Sequence, residues 1–307
     1  MNPRVSVLMT IYNPGPFLAP AIESLLAQTL PDFELIAVEN GSRDGARDIV
    51  RGFARDPRIR LIEKDINIGR VPALNLAFGE ARADYVAILD ADDIAHPDRL
   101  AVEAALLDRQ PDTIIVGSHV RFIDADGNVT GTFTPDPEPQ ALLDALAYRN
   151  PFAHSSVMYR RQAAVDCGGY DRRYEFANDL ALALALVERG KPAMINRFLA
   201  DIRFHAANAS AQPAHYFTRF DEILELFRAS MQRPGLSAAA TQLGRENLAT
   251  THYVYGRELA KAGRPLAALG QLGRMVAADP LYCLQRVGIH AARRVVPKTG
   301  IPDVTAR

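Results

Sequence analysis

Short apolar runs that close on polar residues, separated by helix-length segments, fill the first 120 residues and leave few architectures open. Val5–Ile11, Phe33–Val38, Ile59–Ile62 and Tyr85–Leu89 read as strands, the apolar ones buried on both faces. Between them the spacing predicts helices over Phe17–Gln28, Asp44–Ala54 and Val71–Ala81. A helix over Pro97–Asp108 and a strand at Thr113–Val116 follow. Such alternation calls for an α/β fold, a mostly parallel sheet with helices on both faces. Right-handed crossovers then bring the C-terminal ends of the strands to one rim, where open α/β sheets place their ligands.

Polar residues collect at that rim. The first strand ends at Thr10, Tyr12 and Asn13, the second at Glu39-Asn40-Gly41-Ser42, and the third leads to Asn67, Gly69 and Arg70. The fourth delivers Asp90, Asp92 and Asp93 together. Turn chemistry explains Asn40-Gly41, but not Glu39, Arg70 and three aspartates at once. Crowded carboxylates repel unless a positive charge compensates them. A hard divalent cation does so, and Mg²⁺ typically takes one or two carboxylates plus substrate phosphates. The competing reading is a helix cap by Asp93 or Asp98, for which one Asp is enough.

Beyond residue 120 the pattern changes. Asp124-Ala125-Asp126-Gly127-Asn128 reads as a turn joining strands Val120–Ile123 and Val129–Phe133. A Pro-rich loop leads to a short helix ending near Tyr148, and Asn150–Met158 passes from loop into strand. Gly168-Gly169-Tyr170-Asp171 is a turn before the helix containing Asp179 and the apolar run Leu180–Val187, too short to span a bilayer. Periodicity is helical from about His215 onward, which places a boundary at residues 208–214. Within the tail, Gly256, Leu259, Gly263, Ala268, Leu272, Met275 and Pro280 match the spacing of one tetratricopeptide-like helical hairpin.

Net charge is −1, which argues against a dedicated nucleic-acid binder. The tail from Thr251 holds nine Lys/Arg and three Asp/Glu, so it is basic while the rest is acidic. Basic C-terminal helices are therefore expected to contact anionic lipid at the inner face of the membrane. Two distant cysteines, Cys167 and Cys283, form neither a disulfide framework nor a zinc motif. With no signal-peptide pattern at the start, a cytoplasmic location is expected. No Gly-x-Gly-x-x-Gly follows the first strand and no Walker sequence occurs, which excludes the common dehydrogenase and P-loop readings.

The ordered set Val5–Asn13, Glu39-Asn40-Gly41-Ser42, Asn67-Ile68-Gly69, Asp90-Ala91-Asp92-Asp93, Gly168-Gly169-Tyr170-Asp171 and Asn178-Asp179 resembles the inverting family 2 glycosyltransferases of GT-A fold. The resemblance covers about residues 3–210. It implies a GT-A domain over 1–210, with a nucleotide-binding half at 1–118 and an acceptor half at 119–210. Residues 211–307 then form a helical extension.

By resemblance, Thr10, Tyr12, Glu39, Asn67 and Arg70 bind the donor nucleotide, a UDP- or dTDP-sugar. Asp90 faces ribose or metal, and Asp92 holds Mg²⁺ or Mn²⁺ against the diphosphate, with His205 as a further metal ligand. Asp179 is the implied general base. His154, Ser155, Arg203 and His205 are assigned to acceptor or diphosphate. The implied acceptor is a hydroxyl of a glycan, a lipid-linked intermediate or a protein. The usual Glu-Asp pair is Asn178-Asp179 here, which leaves Asp179 one fewer negative neighbour. Two other classes stay open: a sugar nucleotidyltransferase, and a degenerate non-catalytic nucleotide-sugar-binding or scaffold protein.

Overall fold

The computed structural model describes residues 3–205 and 216–283. Its chain divides into two compact units, Met1–Leu236 and Ser237–Arg307. In the first unit, β1 (Val5–Ile11), β2 (Phe33–Asn40), β3 (Ile59–Lys64) and β4 (Tyr85–Ile88) lie parallel in the order β3-β2-β1-β4. Every residue of β2 and β4 is buried, as expected of strands covered on both faces. Helices α1 (Leu18–Leu26), α2 (Ala46–Phe53) and α3 (Arg70–Gly79) make the crossovers. α1 buries Leu18, Ala21, Ile22 and Leu25, one stripe at helical spacing.

The sheet continues past β4 through elements that cross back. They are β5 (Ile94–Ala95), α4 (Arg99–Arg109), β6 (Thr113–Ile123), β7 (Val129–Phe133), α5 (Pro139–Ala145), β8 (Met158–Arg160), α6 (Arg161–Asp166), α7 (Asn178–Val187), β9 (Lys191–Arg203) and α8 (Tyr216–Ser230). β8 inserts antiparallel between β4 and β6, β9 runs parallel to β6, and β7 forms a hairpin with β6. The result is the α/β, mostly parallel arrangement expected.

Two local expectations change. Thr113–Val116 and Val120–Ile123 are one continuous strand, because Gly117 is not a break but a close approach. A Cβ there would lie 2.9 Å from the Phe152 ring. The 13-residue β9 was not expected at all. Its pairing skips two residues between Ile195 and Phe198, and that bulge disrupts the period-two alternation by which a strand is read.

α4 starts after Asp98, whose side chain makes no capping bond and pairs with Arg197. Asp93 lies outside α4, so capping does not explain the aspartate cluster. Inside α4, Arg99 Nε donates to Glu103 Oε1 at 3.1 Å, both side chains are fully buried, and Arg99 Nη2 donates to the Val157 carbonyl at 3.1 Å. Burial pushes the Glu103 carboxyl up to about 7 against the pull of Arg99. A folded pKa raised above the unfolded value gives stability that is complete below the unfolded pKa and lost as pH rises through 7. The wild type is therefore expected to lose up to ~3 kcal/mol relative to Glu103→Gln between pH 5 and 8. Urea denaturation across that range tests this, and a pH-independent difference between the two proteins would refute it.

The second unit contains α9 (Ala238–Lys261) and α10 (Pro265–Ala278), packed as a hairpin. Ser237 Oγ caps α9 by accepting from Ala240 N at 3.0 Å, and Gly263 turns the chain with φ +71°. Gly256 permits close packing, since its Cβ position lies 3.3 Å from the Ala268 carbonyl oxygen. Buried His252 Nδ1 and Gln271 Oε1 meet across the hairpin at 2.7 Å. The boundary expected at 208–214 lies outside the described residues. The compact division instead follows Leu236, which leaves α8 with the first unit. Residues 284–307, which carry much of the basic tail, also lie outside the described residues. No helix among the described residues is long and apolar enough to cross a membrane.

Candidate active site

The loops after β1, β2 and β3 are stitched together by their own side chains. Asn13, with φ +51°, accepts on Oδ1 from Arg43 N at 2.8 Å, while its amide donates to Ser42 Oγ at 3.1 Å. Asn40 is buried and uses both ends of its amide. Nδ2 donates to Asn67 Oδ1 at 3.0 Å and to the Gly69 carbonyl at 3.2 Å, and Oδ1 accepts from Ile68 N at 3.0 Å. A carboxylate could not make those donations, which accounts for the amide at this position. Gly41 has φ +76°, and a Cβ there would lie 2.6 Å from Asn67 N. Asn67 Oδ1 also accepts from Gly69 N at 2.8 Å, which makes Asn67 a builder of this wall.

Glu39 is completely buried, and its oxygens accept from Ser42 N at 2.6 Å and Arg47 Nε at 2.8 Å. Burial works to raise its carboxyl, but the Ser42 and Arg47 bonds outweigh this and hold it low. These bonds fix the carboxylate at the rim. Tyr12 is 49% exposed at the same edge and presents an aromatic face, while Thr10 is half-buried beside it.

At the end of β4, Arg70 Nη2 donates to both oxygens of Asp90, at 2.8 and 2.9 Å, and to His154 Nδ1 at 3.0 Å. A guanidinium can only donate. His154 Nδ1 also lies 3.5 Å from Asp90 Oδ1, and its Nε2 lies 3.2 Å from the Tyr170 hydroxyl. Tyr170 is fixed in turn by Asn75, which bridges its N–H and carbonyl at 2.9 and 2.7 Å. Burial works to raise Asp90, yet Arg70 and His154 hold it well below the usual carboxylate range. Ser155 is buried and its Oγ accepts from Asp90 N at 2.9 Å, so it braces the aspartate turn.

Asp92 has the opposite balance. Burial and the neighbouring charge of Asp90 raise its carboxyl against the pull of His205 and Arg70. Burial and the charges of Asp92 and Asp90 push Asp93 well up. His205 Nε2 lies 3.0 Å from Asp92 Oδ2, and its ring packs 4.7 Å from that of Phe17. A carboxylate and an imidazole are donors that a divalent cation accepts, and a cation here would relieve the repulsion that raises Asp92. Among the described residues no three His, Cys, Asp or Glu side chains converge on one point, so phosphate and water would complete such a site.

Arg203 is buried, and its guanidinium donates to the carbonyls of Asp92, Asp124 and Ala125 at 3.0, 2.9 and 3.1 Å and stacks 4.7 Å over Phe17. Its amide donates to Asp93 Oδ1 at 2.8 Å. These contacts hold the aspartate turn in place.

Asp179 lies in the first turn of α7, partly exposed, and accepts from Asn150 Nδ2 at 2.9 Å. It lines a small, mostly apolar cavity together with Asn150, Phe152, His154, Tyr159 and Tyr170. Burial would lower the Arg70 guanidinium, but the charges of Asp90, Asp179 and Asp92 raise it further. Arg70 thus sits in the combined field of the β4 aspartates and Asp179. Asn178 is buried and donates to the Glu175 carbonyl at 2.7 Å, a bond that the usual Glu could not make. Asn150 and Phe17 carry no local sequence signal and were missed, whereas Tyr170 fell inside a motif that reads only as a turn.

Parallel strands in the order β3-β2-β1-β4, continued by antiparallel β8, match the GT-A arrangement. The chain belongs to glycosyl transferase family 2, whose sequence profile matches residues 6–169, and it is a glycosyltransferase. EpsE of Bacillus subtilis (strain 168), named as a glycosyltransferase, is 34% identical over 194 residues, covering 62% of this chain and 68% of EpsE. The fold is similar to that of S. aureus TarS residues 1–349 in complex with UDP-GlcNAc. That match has a TM-score of 0.66 at 17% identity and covers 92% of this chain and 84% of TarS 1–349. It is also similar to the mannosyltransferase PcManGT from Pyrobaculum calidifontis in complex with GDP-Man and Mn²⁺. Here the TM-score is 0.59 at 19% identity, covering 96% of this chain and 81% of the other.

Proposed function

We propose that the chain is an inverting, divalent-cation-dependent glycosyltransferase that moves a sugar from a UDP- or dTDP-sugar to an acceptor hydroxyl in glycan or cell-envelope polysaccharide synthesis. The observation that carries this reading is the chain of contacts from Asp90 through Arg70 to His154, which lines one cavity together with Asp179. Tyr12 stacks on the base, and the Asn40–Asn67 wall bounds the nucleoside. Asp92 and His205 would hold Mg²⁺ or Mn²⁺, which supplies charge neutralisation to the departing diphosphate. The PcManGT complex with Mn²⁺ supports this assignment by analogy of fold.

Asp179 takes the proton of the acceptor hydroxyl as that oxygen bonds to the sugar C1 and the bond from C1 to the diphosphate oxygen breaks. Asn150 orients the carboxylate for this transfer, and the apolar lining of the cavity excludes water around it. Arg70 stabilises negative charge gathering on the leaving side while it holds Asp90. His154 fixes the outer side of Arg70. The acceptor class (glycan, lipid-linked intermediate or protein) and contact of the basic tail with the membrane belong to this same reading.

Thermal shift with UDP, dTDP and GDP, each with and without Mn²⁺, tests it. One nucleoside diphosphate is expected to raise Tm by roughly 5 °C at saturation, only when Mn²⁺ is present. Absence of any shift would favour the non-catalytic scaffold. A shift with nucleoside triphosphate and sugar phosphate instead would favour the nucleotidyltransferase.

A further inference from the structure

α7 begins without a cap of its own. Ala177, at the capping position, has no side-chain oxygen. Instead, three successive backbone amides just before the helix converge on one carboxylate from a distant element. Glu222, buried on α8, accepts from Glu175 N at 3.0 Å, Phe176 N at 2.8 Å and Ala177 N at 2.9 Å. Successive amides of this kind form a nest that favours an anion, and bonds to an ionised acceptor are about twice as strong as neutral ones. A buried carboxylate is costly unless it is fully hydrogen-bonded, and these donors compensate it. One turn along α8, Glu225 accepts from the Tyr174 hydroxyl at 2.7 Å, which ties down the same segment.

The restrained segment connects both halves of the site. Its C-terminal end runs directly into Asn178 and Asp179. Its other branch is the Glu175 side chain, whose Oε1 accepts from Arg70 N at 2.7 Å at the start of α3. We infer that Glu222 is a positioning residue for sugar transfer: it sets the backbone from which Asp179 projects toward the acceptor. This rests on the reading of Asp179 as the general base. Glu222 touches no reacting atom. It acts through the 175–177 backbone, and neither the family profile, which ends at residue 169, nor any motif in the sequence points to it.

Glu222→Gln and Glu222→Ala in the full chain test this, with Glu225→Gln as a control on the neighbouring contact. Gln keeps the shape but retains one acceptor oxygen, so the nest loses part of its bonding; Ala removes it all. Amide exchange at residues 175–177 is expected to speed up more than tenfold in the Ala variant and less in the Gln variant, with exchange in β1 and β2 unchanged. The kcat for UDP release from a panel of UDP-sugars with Mn²⁺ should fall more than tenfold in the Ala variant, while the Kd for UDP with Mn²⁺ stays within threefold. Unchanged exchange, faster exchange with unchanged kcat, or equal loss of kcat and UDP affinity would each overturn the proposal. If Asp179→Asn retains full turnover, the base assignment fails, and exchange at 175–177 separately reports whether Glu222 holds the segment.

Discussion

Asp92→Ala is expected to abolish Mn²⁺-dependent nucleotide binding while leaving the apo fold as stable as the wild type, or slightly more so. The stability half of that expectation follows from electrostatics. Asp92 is half-buried beside Asp90, and both desolvation and that neighbouring charge disfavour its ionised form, so its removal relieves repulsion. The binding half follows from ligand count. Asp92 and His205, 3.0 Å apart, are the two side chains proposed to hold the cation, so half of that protein grip depends on one carboxylate. Losing even an outer hydrogen-bond partner of a metal ligand commonly costs ~10–100-fold in affinity, and a direct ligand costs more. Calorimetric titration of UDP or dTDP into the variant with and without Mn²⁺ reads this directly. Retained Mn²⁺ dependence would remove Asp92 from the cation site. A falling apo Tm would mean that the substitution damages the fold.

Asp179→Asn is expected to lower kcat by ~10²–10⁴-fold, the range of a general base, with nucleotide affinity unchanged. The amide is isosteric, and its oxygen can still accept from Asn150, so the first turn of α7 and the cavity around it keep their shape. Only the ability to take a proton is lost. Single-turnover measurement with a saturating donor separates that loss from binding. Equal loss of affinity and turnover would make Asp179 structural.

The donor half was legible because its signals are local. β1, β2 and β4 are predominantly apolar, and the residues that build the rim lie within a few positions of each strand end. Asp90, Asp92 and Asp179 could be found because they stand in ordered motifs. What escaped reading depends on distant partners. Glu39 looks like an exposed strand-end carboxylate, yet Arg47, one helix later, seals it in. Arg203 reads as a neighbour of His205, yet its guanidinium bonds to three distant backbone carbonyls. The β9 strand was hidden by a bulge, and Glu222 lies more than 40 residues from the amides it holds. A contact between segments that far apart leaves no trace in spacing or periodicity.

The attachment of α8 to the first unit bears on how such enzymes are taken apart and recombined. A cut placed at residue 210, where the resemblance ends, would deliver every recognisable motif of the family but discard the helix that holds the 175–177 segment. A graft of a new C-terminal extension respects the catalytic body only if the join falls after Leu236, with the hairpin of α9 and α10 as the exchangeable part. The modular seam of this chain therefore lies about one helix beyond the end of its recognisable motifs.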